Sequence, residues 1–263
     1  MYHKEQMESL FILKIGGKVI DEEVKLREAL EAFLAQEGHK ILIHGGGKKA
    51  TEVSQQLGIQ AQMINGRRIT DAAALEVVTM VYAGLSNKII ISMLQSMGCN
   101  AIGLSGADAN TILAHKRVVK DIDYGFAGDV DAVNVNTIQT LLQGNLTPVF
   151  CAITHDGKGQ LLNTNADTIA TQLAIAMSQR YEVSLNFCFE KPGVLMNPAD
   201  DSSVIPNLNQ DSYQNYKSQG IISEGMIPKL DNAFDALARG VKQVQIADVA
   251  GILESRGTLL ATK

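Results

Sequence analysis

Phe11-Ile12-Leu13-Lys14-Ile15-Gly16-Gly17 is the stretch that decides the fold. Ile12, Leu13 and Ile15 form a short apolar run that predicts a buried strand. Two glycines follow at once, so backbone without a Cβ stands at the strand end and a ligand can approach it closely. Lys14 adds a point charge beside free N–H groups, a combination suited to phosphate. Taken alone, the tripeptide fits an ordinary strand-end lysine in water.

A second element changes that balance. Lys40-Ile-Leu-Ile-His44 is again an apolar strand, and it enters Gly45-Gly46-Gly47. Lys48, Lys49, Ala50 and Thr51 then open a helical pattern. Glycines between a strand and a helix start form an anion site from N–H groups and the helix dipole. A plain turn needs one glycine; three exceed that need. The chain contains no Gly-x-x-x-x-Gly-Lys-Ser/Thr, which excludes a Walker-type P-loop. The dinucleotide fingerprint occurs only in its looser alanine form, Gly45 to Ala50, a weak signal.

Working outward, apolar runs at 11–15 and 40–43 alternate with helical patterns at 22–37 and 47–57. This βαβα order predicts an α/β fold with a mainly parallel sheet. Asn65-Gly66 predicts a tight hairpin turn projecting Arg67 and Arg68. Thr70 or Asp71 would cap a long helix to about Met97, interrupted at Gly84 and Ser86. Residues 101–151 read as strands and hairpins, with Arg117-Val-Val among them. A helix is predicted from Ala166 to Ser178, a strand from Val183 to Phe189, and a mobile, turn-rich segment from Asn197 to Gln210.

Composition bounds the function. The chain has 263 residues, 46% of them hydrophobic and 19% charged, ordinary for a globular protein. A net charge of −5 without a basic block argues against nucleic acid as a partner. Apolar stretches such as Lys88 to Met97 are too short to span a bilayer. Met1 to Gln6 carries charges where a signal peptide needs an apolar run. Cys99, Cys151 and Cys188 fit no zinc spacing and read as reduced cytoplasmic thiols. Five scattered histidines form no ligand cluster, and His44 reads as a turn anchor.

Ile-Leu-Lys-Ile-Gly-Gly and Ile-His-Gly-Gly-Gly resemble the amino acid kinase family. So do Asn65-Gly-Arg-Arg-Ile-Thr-Asp71, Leu162-Asn-Thr-Asn-Ala-Asp-Thr168 and Gly220-Ile-Ile-Ser-Glu-Gly-Met-Ile-Pro-Lys229. The resemblance runs from about residue 10 to 260 and points to members acting on N-acylated glutamate. It implies a three-layer α/β/α sandwich, with an acylglutamate-binding lobe (1–184) and a nucleotide-binding lobe (185–263) on one continuous sheet. The implied reaction passes the γ-phosphoryl of ATP, with Mg2+, to a side-chain carboxylate, an early step of arginine synthesis. Acetyl is the default acyl group and succinyl an alternative. An aspartate or glutamate 5-kinase and a non-catalytic ligand sensor are the other readings.

The resemblance also implies roles. Lys14 and Lys229 would be catalytic cations held by Asp167. Gly16, Gly17, Glu190, Gly225 and Met226 would serve the nucleotide, together with the same Lys14 and Lys229. Gly46, Gly47, Arg68, Asn163 and Asn165 would serve the acylglutamate, with Arg68 gripping a carboxylate and Arg67 pointing into solvent. No protein metal ligand is expected. Residues 163, 165 and 167 carry three cap-forming side chains where one suffices. Cys188-Phe-Glu-Lys-Pro-Gly-Val-Leu195 departs from the family, with Glu190 where aspartate is usual, and Ser105-Gly-Ala-Asp108 departs slightly. The long helix implies a homodimer interface. The short stretch before the first strand implies no arginine-sensitive hexamer.

Overall fold

The computed structural model describes residues 7–64, 67–222 and 225–261. Asn65 and Gly66 lie outside them, as do Met1 to Gln6 and Ser223-Glu224 of the last motif. The strands are β1 (Ser9–Ile15), β2 (His39–His44), β3 (Met63–Ile64), β4 (Arg67–Arg68), β5 (Ala101–Leu104), β6 (Ile112–Lys116) and β7 (Ala127–Val133). There follow β8 (Thr147–Phe150), β9 (Ile153–His155), β10 (Leu161–Thr164), β11 (Glu182–Cys188), β12 (Asn207–Asn209), β13 (Gln243–Ala247) and β14 (Thr258–Ala261). The helices are α1 (Gly17–Asp21), α2 (Glu23–Leu34), α3 (Gly47–Gln56), α4 (Ala72–Thr79) and α5 (Asn87–Ser96). The rest are α6 (Val135–Gln143), α7 (Ala166–Met177), α8 (Gln210–Ser218), α9 (Ile227–Ala238) and α10 (Val249–Glu254).

Eight strands form one sheet in the order β12-β14-β13-β11-β1-β2-β8-β5. Within it only the β13–β14 pairing is antiparallel. Alternate side chains of each strand face opposite layers. Leu10, Ile12, Ile41 and Ile43 pack with Ile169, Leu173, Leu230 and Ala233 of α7 and α9. Leu13, Ile15 and Leu42 face the other way, onto Leu26, Leu30 and Phe33 of α2 and Ile90 and Leu94 of α5. This is the expected α/β/α sandwich. The sheet runs unbroken past residue 184, which falls inside β11 and pairs with Phe11 of β1.

Several elements differ from the sequence reading. The helix expected over 22–37 is α2, which ends at Leu34, and a short helix, α1, precedes it from Gly17. Within 101–151, residues 135–143 are helical: Asn134 caps α6, and Ile138 and Leu142 bury one face. The polar turn signals on either side conceal that short amphipathic pattern. Arg117-Val-Val lies beyond the end of β6, in a loop. Strands β10, β7, β6 and β9 close into a small barrel that alternation alone does not reveal. Residues 197–203 form a turn closed by Ser203 Oγ on Asn197 and Asp200, and α8 follows under an Asn209–Ser212 capping box.

The long helix is continuous. Asp71 caps it by accepting from Ala74 N, and α4 passes through a π-helical turn, Met80–Ser86, into α5. Gly84 and Ser86 fall in that π turn, so the regular α geometry is interrupted where expected while the helix itself runs on. The run Ala72–Ser96 therefore reaches 25 residues, long and apolar enough by length and composition to cross a membrane, contrary to the expectation for this region. Its Leu75, Val78, Val81 and Tyr82 belong to one core and its Ile90 and Leu94 to the other.

Candidate active site

Three parallel strands, β11, β1 and β2, end side by side, and the loops leaving them define a cleft. Ligands of open α/β sheets bind outside such carboxyl ends. Lys14 sits next to last on β1, paired with Phe187 and Ile43. Gly16 N donates to Cys188 O at 3.0 Å, tying the glycine loop to β11. After β2, Gly46 takes φ 151°, and α3 begins with no side-chain cap on its first N–H groups. Helices α1 and α9 also begin without a side-chain cap. By contrast, Asn165 caps α7, accepting from Asp167 N at 2.8 Å and Thr168 N at 3.1 Å. The uncapped starts leave amide donors for an anion.

Asp167 joins the cations. Lys229 Nζ, in the first turn of α9, donates to Asp167 Oδ2 at 2.5 Å. Lys14 Nζ lies 2.7 Å from Oδ1 as an ion pair without hydrogen-bond alignment. Lys14 and Asp167 are buried, and the Lys229 side chain is 25% exposed. Burial works to raise the Asp167 carboxyl, but the two ammonium groups outweigh it and hold the group well below the usual carboxylate range. Burial also pushes the Lys14 ammonium down; Asp167 opposes that shift and Lys229 adds to it. One carboxylate thus fixes two lysines from distant strands and helices, leaving a net positive charge.

Beside this triad opens a cavity of about 860 Å3. Of the predicted residues, Gly17, Gly46, Gly47, Arg68, Asn163, Asn165 and Glu190 line it. Lys14, Asp167, Lys229, Gly16, Gly225 and Met226 do not; Ala166, next to Asp167, marks where the triad adjoins it. Arg68 is buried, and its Nη2 donates to Gly47 O at 2.9 Å and Thr51 Oγ1 at 2.8 Å. Its Nη1 is buried with no hydrogen-bond partner among the described residues. An orphaned guanidinium nitrogen beside a cavity suits an anionic oxygen. Arg67 is exposed, as expected, yet it also rims the cavity.

Thr70 ties together the loops on the Arg68 side of the cavity. It exchanges backbone bonds with the loop before β7 (Thr70 N to Tyr124 O, Phe126 N to Thr70 O), and Asn163 Nδ2 donates to its hydroxyl at 2.9 Å. Gly125 is needed there: at φ 65°, a Cβ would stand 2.2 Å from Thr70 O. His44 is fully buried; its Nδ1–H donates to Gly45 O at 2.8 Å and its Nε2 accepts from Asn87 Nδ2 at 3.0 Å. Burial pushes its pKa down to about 4, so it is a neutral anchor between β2 and α5.

Sequence reasoning missed Lys18, Tyr82, Thr51, Arg117 and Tyr124. Lys18 Nζ donates to Glu190 at 2.9 Å across the cavity mouth. Burial favours the neutral form of Glu190, but Lys18 and then Lys229 bring its pKa down. Arg117 forms a two-pronged pair with Asp129. Only tertiary pairing reveals these partners, although Thr51 stands in the helix start that follows the glycines. Among the described residues, no group of three or more acidic, histidine or cysteine side chains could hold a metal ion.

This fold and this triad define a phosphotransferase of one family: its sequence profile matches residues 9–248, and the chain belongs to the amino acid kinase family. Its relatives narrow the class. An acetylglutamate kinase of Parabacteroides distasonis is 52% identical over 252 residues, 96% of this chain and 99% of that protein. One of Phocaeicola vulgatus is 52% identical over 253 residues, 96% and 98% of the two chains. Among solved structures, a Streptococcus mutans UA159 protein superimposes with a TM-score of 0.79 at 24% identity, covering 97% of this chain and 99% of its own.

Proposed function

We propose that this chain transfers the γ-phosphoryl group of ATP to the side-chain carboxylate of N-acetyl-L-glutamate, a step of arginine biosynthesis. The observation that carries this reading is Asp167 between Lys14 and Lys229, beside a glycine-lined cavity. Relatives at about half identity over nearly the full chain are acetylglutamate kinases.

A carboxylate oxygen of the acceptor attacks the γ-phosphorus. The bond from that phosphorus to the β,γ-bridging oxygen breaks, and the electron pair leaves with ADP. The acceptor is already ionised, so no general base is required. Charge spreads over the equatorial oxygens, and catalysis is positioning plus electrostatics. Lys14 and Lys229 flank those oxygens from opposite sides, and Asp167 keeps the two ammonium groups in place. The uncapped amides of α3 face the phosphoryl group and those of α1 the nucleotide. Arg68 Nη1 takes an acceptor carboxylate, with Asn163 and Asn165 nearby. Glu190, Gly225 and Met226 belong to the nucleotide side, which gives the 1–184 and 185–263 lobes their separate tasks.

Mg2+ is the divalent cation we assign; the nucleotide phosphates would hold it, as is usual for this ion. When bound, it neutralises developing charge on the transferring group. Two copies pair through the exposed apolar stripe of the long helix, where Met80, Leu85 and Ile89 are 55%, 44% and 46% exposed. The three unpaired cysteines suit a reducing cytoplasm. Incubation with ATP, Mg2+ and N-acetylglutamate should yield an acyl phosphate that hydroxylamine traps as a hydroxamate. ATP-independent signal, or none at all, would reject the reading.

A further inference from the structure

Asn87 opens α5 directly after the π-helical turn Met80–Ser86, and its side chain is turned into the protein, 1% exposed. Every polar atom of its amide is engaged. Nδ2 donates to Val149 O of β8 and to His44 Nε2, each at 3.0 Å, and Oδ1 accepts from Lys88 Nζ at 3.1 Å. Strand β5 makes room for the amide with a glycine: a Cβ on Gly103 would stand 1.8 Å from Asn87 Oδ1.

These partners allow one arrangement of protons. A carbonyl only accepts and an ammonium only donates, so Val149 O and Lys88 Nζ prevent the amide from turning over. Nδ2 gives one hydrogen to Val149 O and the other to His44 Nε2. That ring nitrogen must then be bare, which puts the proton of the neutral imidazole on Nδ1. Burial keeps the ring neutral, and Lys88, the charged group that bears on it, pushes the same way. Nδ1–H in turn donates to Gly45 O at 2.8 Å. The peptide joining Gly45 to Gly46 is planar and trans, so the Gly46 N–H points opposite to that carbonyl, away from the His44 ring. This N–H has no acceptor among the described residues, and Gly45, Gly46 and Gly47 all line the cavity.

We infer that Asn87 is a positioning residue for phosphoryl transfer: by holding His44 as the Nδ1–H tautomer it sets the Gly45–Gly46 peptide plane and aims the Gly46 N–H at the transferring group. This rests on the reading that the glycine loop after β2 faces that group. The other tautomer would set a bare Nδ1 against Gly45 O, and a glycine peptide, with no Cβ on either side, turns readily once released.

The test combines imidazole nitrogen-15 spectra with steady-state kinetics. With His44 assigned by the signal lost in His44→Gln, the parent at pH 7 should show a protonated Nδ1 and a bare Nε2, and Asn87→Ala a mixture of tautomers. Asn87→Ala should lower kcat about 10-fold, the scale of a hydrogen bond lost at a buried polar group, with the KM for ATP within about 2-fold of the parent. Asn87→Asp supplies a readout that packing alone would not move. Its carboxylate accepts from Nε2–H and raises the His44 pKa. Below that pKa both ring nitrogens carry protons and the bond to Gly45 O persists; above it the proton stays on Nε2 and the bond is lost. Between pH 6 and 9, kcat should therefore fall about 10-fold with rising pH in Asn87→Asp and stay within about 2-fold in the parent. An Nε2–H tautomer in the parent overturns the inference even where neither variant folds. So does a parental kcat in folded Asn87→Ala, or a kcat in Asn87→Asp reduced equally at every pH. If the tautomers behave as expected while the parent phosphorylates no acceptor, the phosphotransfer reading fails instead.

Discussion

Lys229 Nζ ends 2.5 Å from Oδ2 of Asp167, although 61 residues separate them in sequence. The Asp167 carboxylate leads into α7, yet it does not cap that helix; Asn165 does. Asp167 is therefore free to act as a strut between lysines, and its removal should be felt in catalysis more than in folding.

Asp167→Asn keeps the shape of the side chain and leaves the Asn165 cap intact. It leaves two ammonium groups facing a neutral amide. Like charges about 4 Å apart repel by roughly 4 kcal/mol at an effective dielectric of about 20, before relaxation. The expected outcome is a collapse of kcat in a protein that still folds, with a Tm lowered by up to about 10 °C. Turnover and calorimetry on one preparation check it; near-normal turnover would remove Asp167 from the mechanism.

Lys14→Ala and Lys229→Ala should each lower kcat about 100- to 1000-fold, corresponding to ~2.7–4 kcal/mol for one preorganised electrostatic contact. Lys14 is the more buried, so its variant should also lose more stability. Rapid-quench measurement of the first turnover separates this loss from slow product release. Folded variants with near-parental first-turnover rates would contradict the assignment.

His44 supplies a pH-dependent term. Its folded pKa is about 4 against 6.5 for the free side chain. Between those values the unfolded chain binds the extra proton, so stability rises with pH and is lost progressively as pH falls from 6.5 toward 4. At ~1.36 kcal/mol per unit, the full loss is about 3 kcal/mol. Urea midpoints at pH 7 and pH 5 should differ more for the parent than for His44→Gln. Equal slopes in both would show that His44 is not the titrating group.

Leu85→Glu and Ile89→Glu place charge on the exposed stripe of the long helix. The parent should scatter light as a particle of twice the 28.3 kDa chain mass, and the variants as single chains. A monomeric parent at micromolar concentration would contradict pairing through this face.

The sequence made the frame legible because its strands are apolar runs closed by glycines, and because β1 and β2 carry the phosphate-facing motifs at their ends. Arg68, Asn163 and Asp167 were reachable through motif resemblance, since no local rule links residues so far apart. Residues defined by tertiary pairing stayed hidden. Lys18 and Glu190 meet only because β1 and β11 are neighbours. Tyr82 reads as one more core position of an apolar helix until the fold sets its ring against the glycine loop that lines the cavity. Of the three cap-forming side chains at 163, 165 and 167, the geometry alone shows which one closes α7: Asn165 does, which leaves the Asp167 carboxylate to the lysines.

The most direct measurement is an acceptor panel with ATP and Mg2+: N-acetylglutamate, N-succinylglutamate, glutamate and aspartate, each scored by kcat/KM for ADP release. N-acetylglutamate should give the highest value, with glutamate and aspartate near background. ADP release that is independent of any acceptor, or a preference for free glutamate or aspartate, would contradict the function assigned to this site.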